Sequence, residues 1–357
     1  MYSTYLADPD INQLCGQEAF IRQMLMFEGA LATVQGQLGI IPADAASAIA
    51  DIIPRLTVTP DSLADGTRQN GVPTIPLLTQ VRAVLPESAR SYLHVGATSQ
   101  DMMDTAQVLA IRSVLSVLDT RIHDLLTRLD DLQTRYGNVP MMGRTRTQQA
   151  QPITFGQKVA TWRSPLGRHL DRLDQLKPRL LVIQLGGAVG NLSAYGDRGE
   201  AVAKALATEL ALGYAAPWHT ERDGFAEFAN WLALLTGTLG KLGQDVLTMG
   251  QTELGEVVEN VAGGGKSSAM PHKNNPVLSE ALVMLARQTA QLAAIQLQSL
   301  VHGNERDATA WMLEWENLPR LMSNAGTALC HALSITQTMG INADAMKTNL
   351  DKLNECE

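Results

Sequence analysis

Cysteine is scarce in this chain: Cys15, Cys330 and Cys356 are all it has, odd in number and far apart. No Cys-x-x-Cys pair or Cys/His cluster accompanies them, which argues against a disulfide framework and a structural zinc site. No apolar run approaches ~18 residues, so no membrane-spanning helix is expected. The opening MYSTYLADPD lacks the basic and apolar stretches of a secretion signal, and a cytoplasmic location is the expectation. Positive charge is in deficit, with a formal net charge of −8, which disfavours a nonspecific nucleic-acid surface. Convincing strand runs and short internal repeats are missing. The glycine run Gly186-Gly187-Ala188-Val189-Gly190-Asn191 lacks a strand-Gly-x-Gly-x-x-Gly-helix frame and a following Walker lysine, so a nucleotide loop is disfavoured. Neither a cofactor nor a metal is expected.

Helical periodicity fills the space these absences leave. Leu115, Leu118, Ile122, Leu125, Leu129, Leu132 and Tyr136 recur at alternating spacings of three and four, as do Phe225, Phe228, Leu232, Leu235, Leu239, Leu242, Val246 and Met249. Each series lays an apolar seam along one long helix, the pattern of bundle packing. Gly237, Gly240 and Gly243 beside the second seam weaken an isolated helix and imply close approach of a neighbour. Gln17 to Leu38 reads as a further amphipathic helix through Phe20, Met24, Phe27 and Leu31. Turn formers from Gly66 to Pro76 divide an N-terminal region from the rest, and a break at Tyr136 to Pro140 ends the first long helix. The expected organisation is all-α: an N-terminal helical domain over 1–95, a central long-helix bundle over 96–335, and a short C-terminal remnant over 336–357.

Chemistry-bearing residues gather in a few segments. Gly263 to Pro276, GGGKSSAMPHKNNP, places three glycines before Lys266, the hydroxyls of Ser267 and Ser268, Lys273 and Asn275. Asn275-Pro276 reads as an N-cap and first helical residue, so the segment suits a lid over an anion. His94 to Asp101, HVGATSQD, has capping-box spacing between Thr98 and Asp101, and the Thr98 and Ser99 hydroxyls beside free helix amides can hold a carboxylate. Gly143 to Pro152 puts Arg144, Thr145, Arg146 and Gln148 in a loop between helices. Pro217 to Asp223, PWHTERD, carries His219 and Arg222, and His302 to Asp307, HGNERD, carries Arg306. If folding gathers Arg144, Arg146, Arg222, Lys266, Lys273 and Arg306, the site is cationic within an anionic chain and suits a small polycarboxylate.

The order S-S-x-M-P-x-K-x-N-P closely resembles the signature loop of the fumarase/aspartase/adenylosuccinate lyase superfamily. H-x-G-x-T-S-x-D, G-R-T-x-x-Q and E-R-D resemble further segments of it, and P-W-H-T-x-R-D is similar to its carboxymuconate cycloisomerase branch. The resemblance spans nearly the whole chain. It implies a helical homotetramer whose active sites draw segments from different subunits. It also implies Ser267 as the proton carrier to carbon, and Lys273 and Asn275 on the carboxylate that becomes an aci-acid. Thr98, Ser99, Arg222 and Arg306 would bind the other carboxylates, with Arg144, Thr145, Arg146, Gln148, His219 and Lys266 lining the substrate. Two positions depart from the superfamily pattern: Arg146 stands where a lyase histidine is usual, and Lys266 where glycine precedes the serine pair. Guanidinium stays protonated at neutral pH, so Arg146 cannot shuttle protons as that histidine would. An adenylosuccinate or argininosuccinate lyase is the same-fold alternative, and a catalytically silent structural homologue is the other.

Overall fold

A computed structural model describes residues 3–260, 264–270 and 273–354. Among the described residues, seven α-helices occupy the N-terminal region: α1 (Ser3–Leu6), α2 (Pro9–Cys15), α3 (Gln17–Gln37), α4 (Ala43–Ile52), α5 (Pro60–Asn70), α6 (Thr74–Val84) and α7 (Glu87–Arg90). Then come α8 (Ser99–Tyr136), the strands β1 (Pro140–Thr145) and β2 (Gln148–Thr154), α9 (Phe155–Leu180) and α10 (Gly199–Glu209). The chain continues through α11 (Asp223–Met249), β3 (Val257–Val258), α12 (Val277–Gln298), α13 (Ala308–Thr338), β4 (Gly340–Ile341) and α14 (Ala343–Asn354).

The two seams read from sequence bury as expected. Leu115 to Leu132 on α8 and Phe225 to Met249 on α11 join one hydrophobic core with α9, α12 and α13. Gly240 and Gly243 let α12 in. A Cβ on them would lie 2.6 Å from the Ala286 Cβ and 2.8 Å from the Leu282 Cβ, whereas Gly237 faces open space. A second core joins the N-terminal helices to Met102, Met103, Ala106 and Leu109 of α8 and to Ile183 through Leu210. The N-terminal region is thus welded onto the start of the bundle by residues far along the chain. The Gly66–Pro76 turn formers do not separate it from the rest; Gly66 lies within α5, and Gly71, at φ +75°, ends that helix before α6.

Neither strand pair of the described residues, β1–β2 nor β3–β4, was expected. β1 and β2 form an antiparallel hairpin in which Thr145 faces Gln148. Its two loop residues, Arg146 and Thr147, have φ of 49° and 68°, the geometry of a tight I′-type turn.

Partners at the helix ends fix the directions of the bundle. α8, α11 and α13 start together at one end, the head, where Asp104, Arg222 and Trp311 meet. They finish at the other end, the foot, where the β1–β2 hairpin lies and β3 pairs with β4. α9 and α12 run the opposite way. At ~1.5 Å per residue, the 27-residue α11 separates head from foot by about 40 Å.

Candidate active site

At the head, the buried Asp101 carboxylate organises three segments. It accepts the backbone N–H of Thr98 at 2.9 Å, closing the expected cap on α8. It also accepts N–H groups of Gly186 at 2.8 Å and Gly187 at 2.9 Å, and its Oδ1 lies 2.8 Å from His219 Nε2. Gly187 sits at φ +69°, and a Cβ there would come within 2.9 Å of the Gly96 carbonyl, so glycine lets the two backbones approach closely here. The loop carrying Thr98 and Ser99 is held from below by His94, whose Nδ1 lies 2.6 Å from Glu28 Oε1. Burial pulls the His94 imidazole toward neutrality, but the charge and hydrogen bond of Glu28 outweigh it and raise its pKa above the ordinary value. Arg306 joins the head from the 302–307 segment through the side-chain oxygen of Gln100, 2.9 Å away.

At the foot, Ser267 lies half-buried with two backbone N–H groups on its oxygen: Ala269 at 3.3 Å and Met270 at 3.1 Å. Such donors favour negative charge on an oxygen and suit a serine that must exchange a proton. The two strands of the loop are zipped where Asn275 donates its N–H to the Gly265 carbonyl at 2.7 Å, and Lys266 bridges Asn274. Gly265, at φ +70°, leaves no room for a side chain against Asn274 and Asn275. Lys266 and Lys273 are exposed.

Two acidic residues three apart staple this end together. Glu256 holds Arg144 of the hairpin in a bidentate pair at 2.9 and 2.7 Å, and Asn349 of α14 donates to the same carboxylate at 3.0 Å. Glu259 accepts the N–H groups of Leu278 and Ser279, both at 2.9 Å, and the Ser279 hydroxyl at 2.6 Å. A carboxylate on free amides at a helix start is favourable twice over, through hydrogen bonds and through the helix dipole. Glu259 therefore caps α12 in place of the expected Asn275; Pro276 is the cap residue and the helix begins at Val277.

The Lyase family model matches residues 69–290. The chain belongs to this family. This lyase-family chain is 39% identical to the 3-carboxy-cis,cis-muconate cycloisomerase of Acinetobacter baylyi, over 98% of its own length and 79% of that protein's. It is 38% identical to trans-aconitate decarboxylase 1 of Mycosarcoma maydis, over 98% and 71% of the two chains. The crystal structure of 3-carboxy-cis,cis-muconate lactonizing enzyme from Pseudomonas putida matches it with a TM-score of 0.93 at 36% identity, covering 98% of this chain and 79% of that one. The expected fumarase-type bundle is the fold this chain adopts.

Within one lyase chain, the expected site residues do not converge. Thr98, Ser99, His219, Arg222 and Arg306 lie at the head; Arg144, Thr145, Arg146, Gln148, Lys266, Ser267, Lys273 and Asn275 lie at the foot. The single cationic cluster read from sequence is thus two groups at opposite ends of the bundle. Two of its arginines are also spent on carboxylates. Arg222 is 1% exposed and pairs with Asp104 at 2.7 and 3.1 Å and with Glu314, so it has no face left for substrate. Burial opposes its charge, but Asp104 and Glu314 prevail and hold the guanidinium ionised. Arg144 is committed to Glu256 in the same way. Thr145, Arg146 and Gln148 are exposed at the hairpin tip. Sequence reading passed over Gln100, Asp104, Glu256, Glu259 and Glu314 as site-building residues. The available signal was charge at seam-facing positions: Asp101 and Asp104 fall on the buried face of α8, where an unpaired carboxylate would be too costly to keep.

Proposed function

We propose that this chain is a 3-carboxy-cis,cis-muconate cycloisomerase acting as a homotetramer without a cofactor. The near full-length likeness to the Acinetobacter baylyi enzyme carries the reading. In the reaction, a carboxylate oxygen of the triacid adds across a C=C bond and closes a lactone. The displaced electron pair passes into the neighbouring carboxylate, and the resulting aci-acid is protonated at carbon. Ser267 carries that proton, with the Ala269 and Met270 N–H groups supporting its anionic form. Lys273 and Asn275 hold the aci-carboxylate. Thr98, Ser99 and Arg306 take the remaining carboxylates, while His219 positions them through Asp101.

The separation of head from foot supports a site built between chains. A small triacid cannot bridge about 40 Å, so a head from one copy must meet a foot from another. Leu234 of α11 and Ile295 of α12, 52% and 41% exposed, are apolar side chains on the bundle surface where copies would pack. An ultraviolet assay of purified protein tests the reading: 3-carboxy-cis,cis-muconate is consumed to a lactone, and adenylosuccinate is not. Conversion of trans-aconitate with no lactonisation would move the assignment toward the decarboxylase relative.

A further inference from the structure

Three arginines of the sequence motifs find partners inside this chain, and only one of the three is held without being neutralised. Arg222 meets two carboxylates and Arg144 meets one. Arg306 instead donates its Nε–H to the Gln100 side-chain oxygen at 2.9 Å, and its Nη2 to the carbonyls of Ala188 at 3.2 Å and Gly187 at 3.4 Å. All three acceptors are uncharged. The adjacent Asp307 is occupied elsewhere, accepting the N–H groups of Gly303 at 3.2 Å and Thr309 at 2.8 Å.

Gln100 is fully buried, and its amide is used in both directions. The oxygen takes Arg306, and Nε2 donates to the His219 carbonyl at 2.9 Å. That second bond settles the amide's orientation, because a flipped amide would set donor against donor at Arg306 and acceptor against acceptor at His219. A glutamate of the same shape would face a carbonyl it cannot donate to. It would also cancel the Arg306 charge at contact distance, where ionic hydrogen bonds are about twice as strong as neutral ones.

We infer that Gln100 is a positioning residue that aims the Arg306 guanidinium while leaving its full charge for a substrate carboxylate. The inference rests on the proposed carboxylate-binding role of Arg306. Gln100 thereby ties the 302–307 segment to the 217–222 segment through a neutral link, and the cation it presents stays available. An isosteric but charged replacement is accordingly more damaging to substrate binding than a non-isosteric neutral one.

The test is equilibrium binding of tricarballylate, a saturated triacid that cannot lactonise, to the full chain and to Gln100→Glu, Gln100→Met and Arg306→Met, with thermal midpoints recorded alongside. Gln100→Met should weaken binding severalfold because Arg306 loses its aim. Gln100→Glu should weaken it by roughly 10- to 100-fold, approaching Arg306→Met, because the charge is lost as well. Binding by Gln100→Glu as tight as, or tighter than, that of Gln100→Met overturns the inference. If Gln100→Glu does not fold, Gln100→Met decides it: unchanged affinity overturns, severalfold loss at an unchanged midpoint supports. Absence of tricarballylate binding to the unsubstituted chain also overturns it. Turnover of 3-carboxy-cis,cis-muconate by the unsubstituted chain judges the proposed reaction separately.

Discussion

Arg222 and Asp104, 118 positions apart in sequence, form a bidentate ion pair that solvent does not reach. Glu314 closes the other side of the guanidinium, and the Trp311 indole N–H donates to Asp104 at 2.9 Å. Removing the arginine strands two buried carboxylates, and breaking such a buried pair costs about 3–5 kcal/mol. Arg222→Ala should therefore lower the denaturant midpoint sharply or prevent folding. A fully stable Arg222→Ala with only weakened substrate binding would restore the carboxylate-binding role that its sequence motif suggested.

Glu256 makes the equivalent prediction at the foot. Glu256→Ala leaves Arg144, 15% exposed, without its partner, and releases Asn349 of α14 as well. A loss of stability of about 3 kcal/mol is expected. Arg144→Met/Glu256→Met should recover much of it, since apolar replacement of both partners is often nearly neutral. A double variant as unstable as the single would refute this.

Ser267→Ala should reduce turnover by roughly 10²–10⁴, the range for a positioned proton carrier, with the fold intact. In its proposed role the Lys273 charge serves ground state and transition state alike, so Lys273→Ala should weaken both binding and turnover. Ser268→Ala is the control and should matter less. Near-normal turnover in Ser267→Ala, with loss in Ser268→Ala or Arg146→Ala, would place the proton carrier elsewhere.

His94 and Glu28 give the pH dependence its sign. The folded state raises the His94 pKa above its ordinary value: burial acts against this, Glu28 more than compensates, Asp101 adds to it and Arg82 subtracts. The pair's contribution is complete below the ordinary imidazole value of about 6.5 and is lost as pH rises through the higher folded value. Urea midpoints of the unsubstituted chain should fall across that window relative to those of Glu28→Gln. Parallel pH profiles for the two proteins would show that His94 does not titrate there.

The bundle was legible because helix seams are a local signal: the apolar spacings of Leu115 to Leu132 and Phe225 to Met249 declare a buried face whatever packs on it. The hairpin was not. β1 buries only Met141 and Met142, β2 is largely polar and exposed, and the turn is Arg146-Thr147 without the glycine or asparagine that usually marks such a turn. The cap on α12 escaped for a different reason, since Glu259 reaches it from outside the local pattern that pointed to Asn275. Motif residues were found, but which ones carry free charge was not, because Asp104, Glu314 and Glu256 lie far from their arginines in sequence. That head and foot motifs sit at opposite ends follows from helix length once the helices are placed.

Whether one copy's head meets another copy's foot can be measured directly. Arg306→Ala and Ser267→Ala, each nearly inactive alone, are co-expressed with different tags so that only mixed oligomers are purified, and their conversion of 3-carboxy-cis,cis-muconate is measured. Mixed oligomers should regain activity well above either parent, because some sites then pair an intact head with an intact foot. Mixed oligomers as inactive as their parents would contradict a site built between copies.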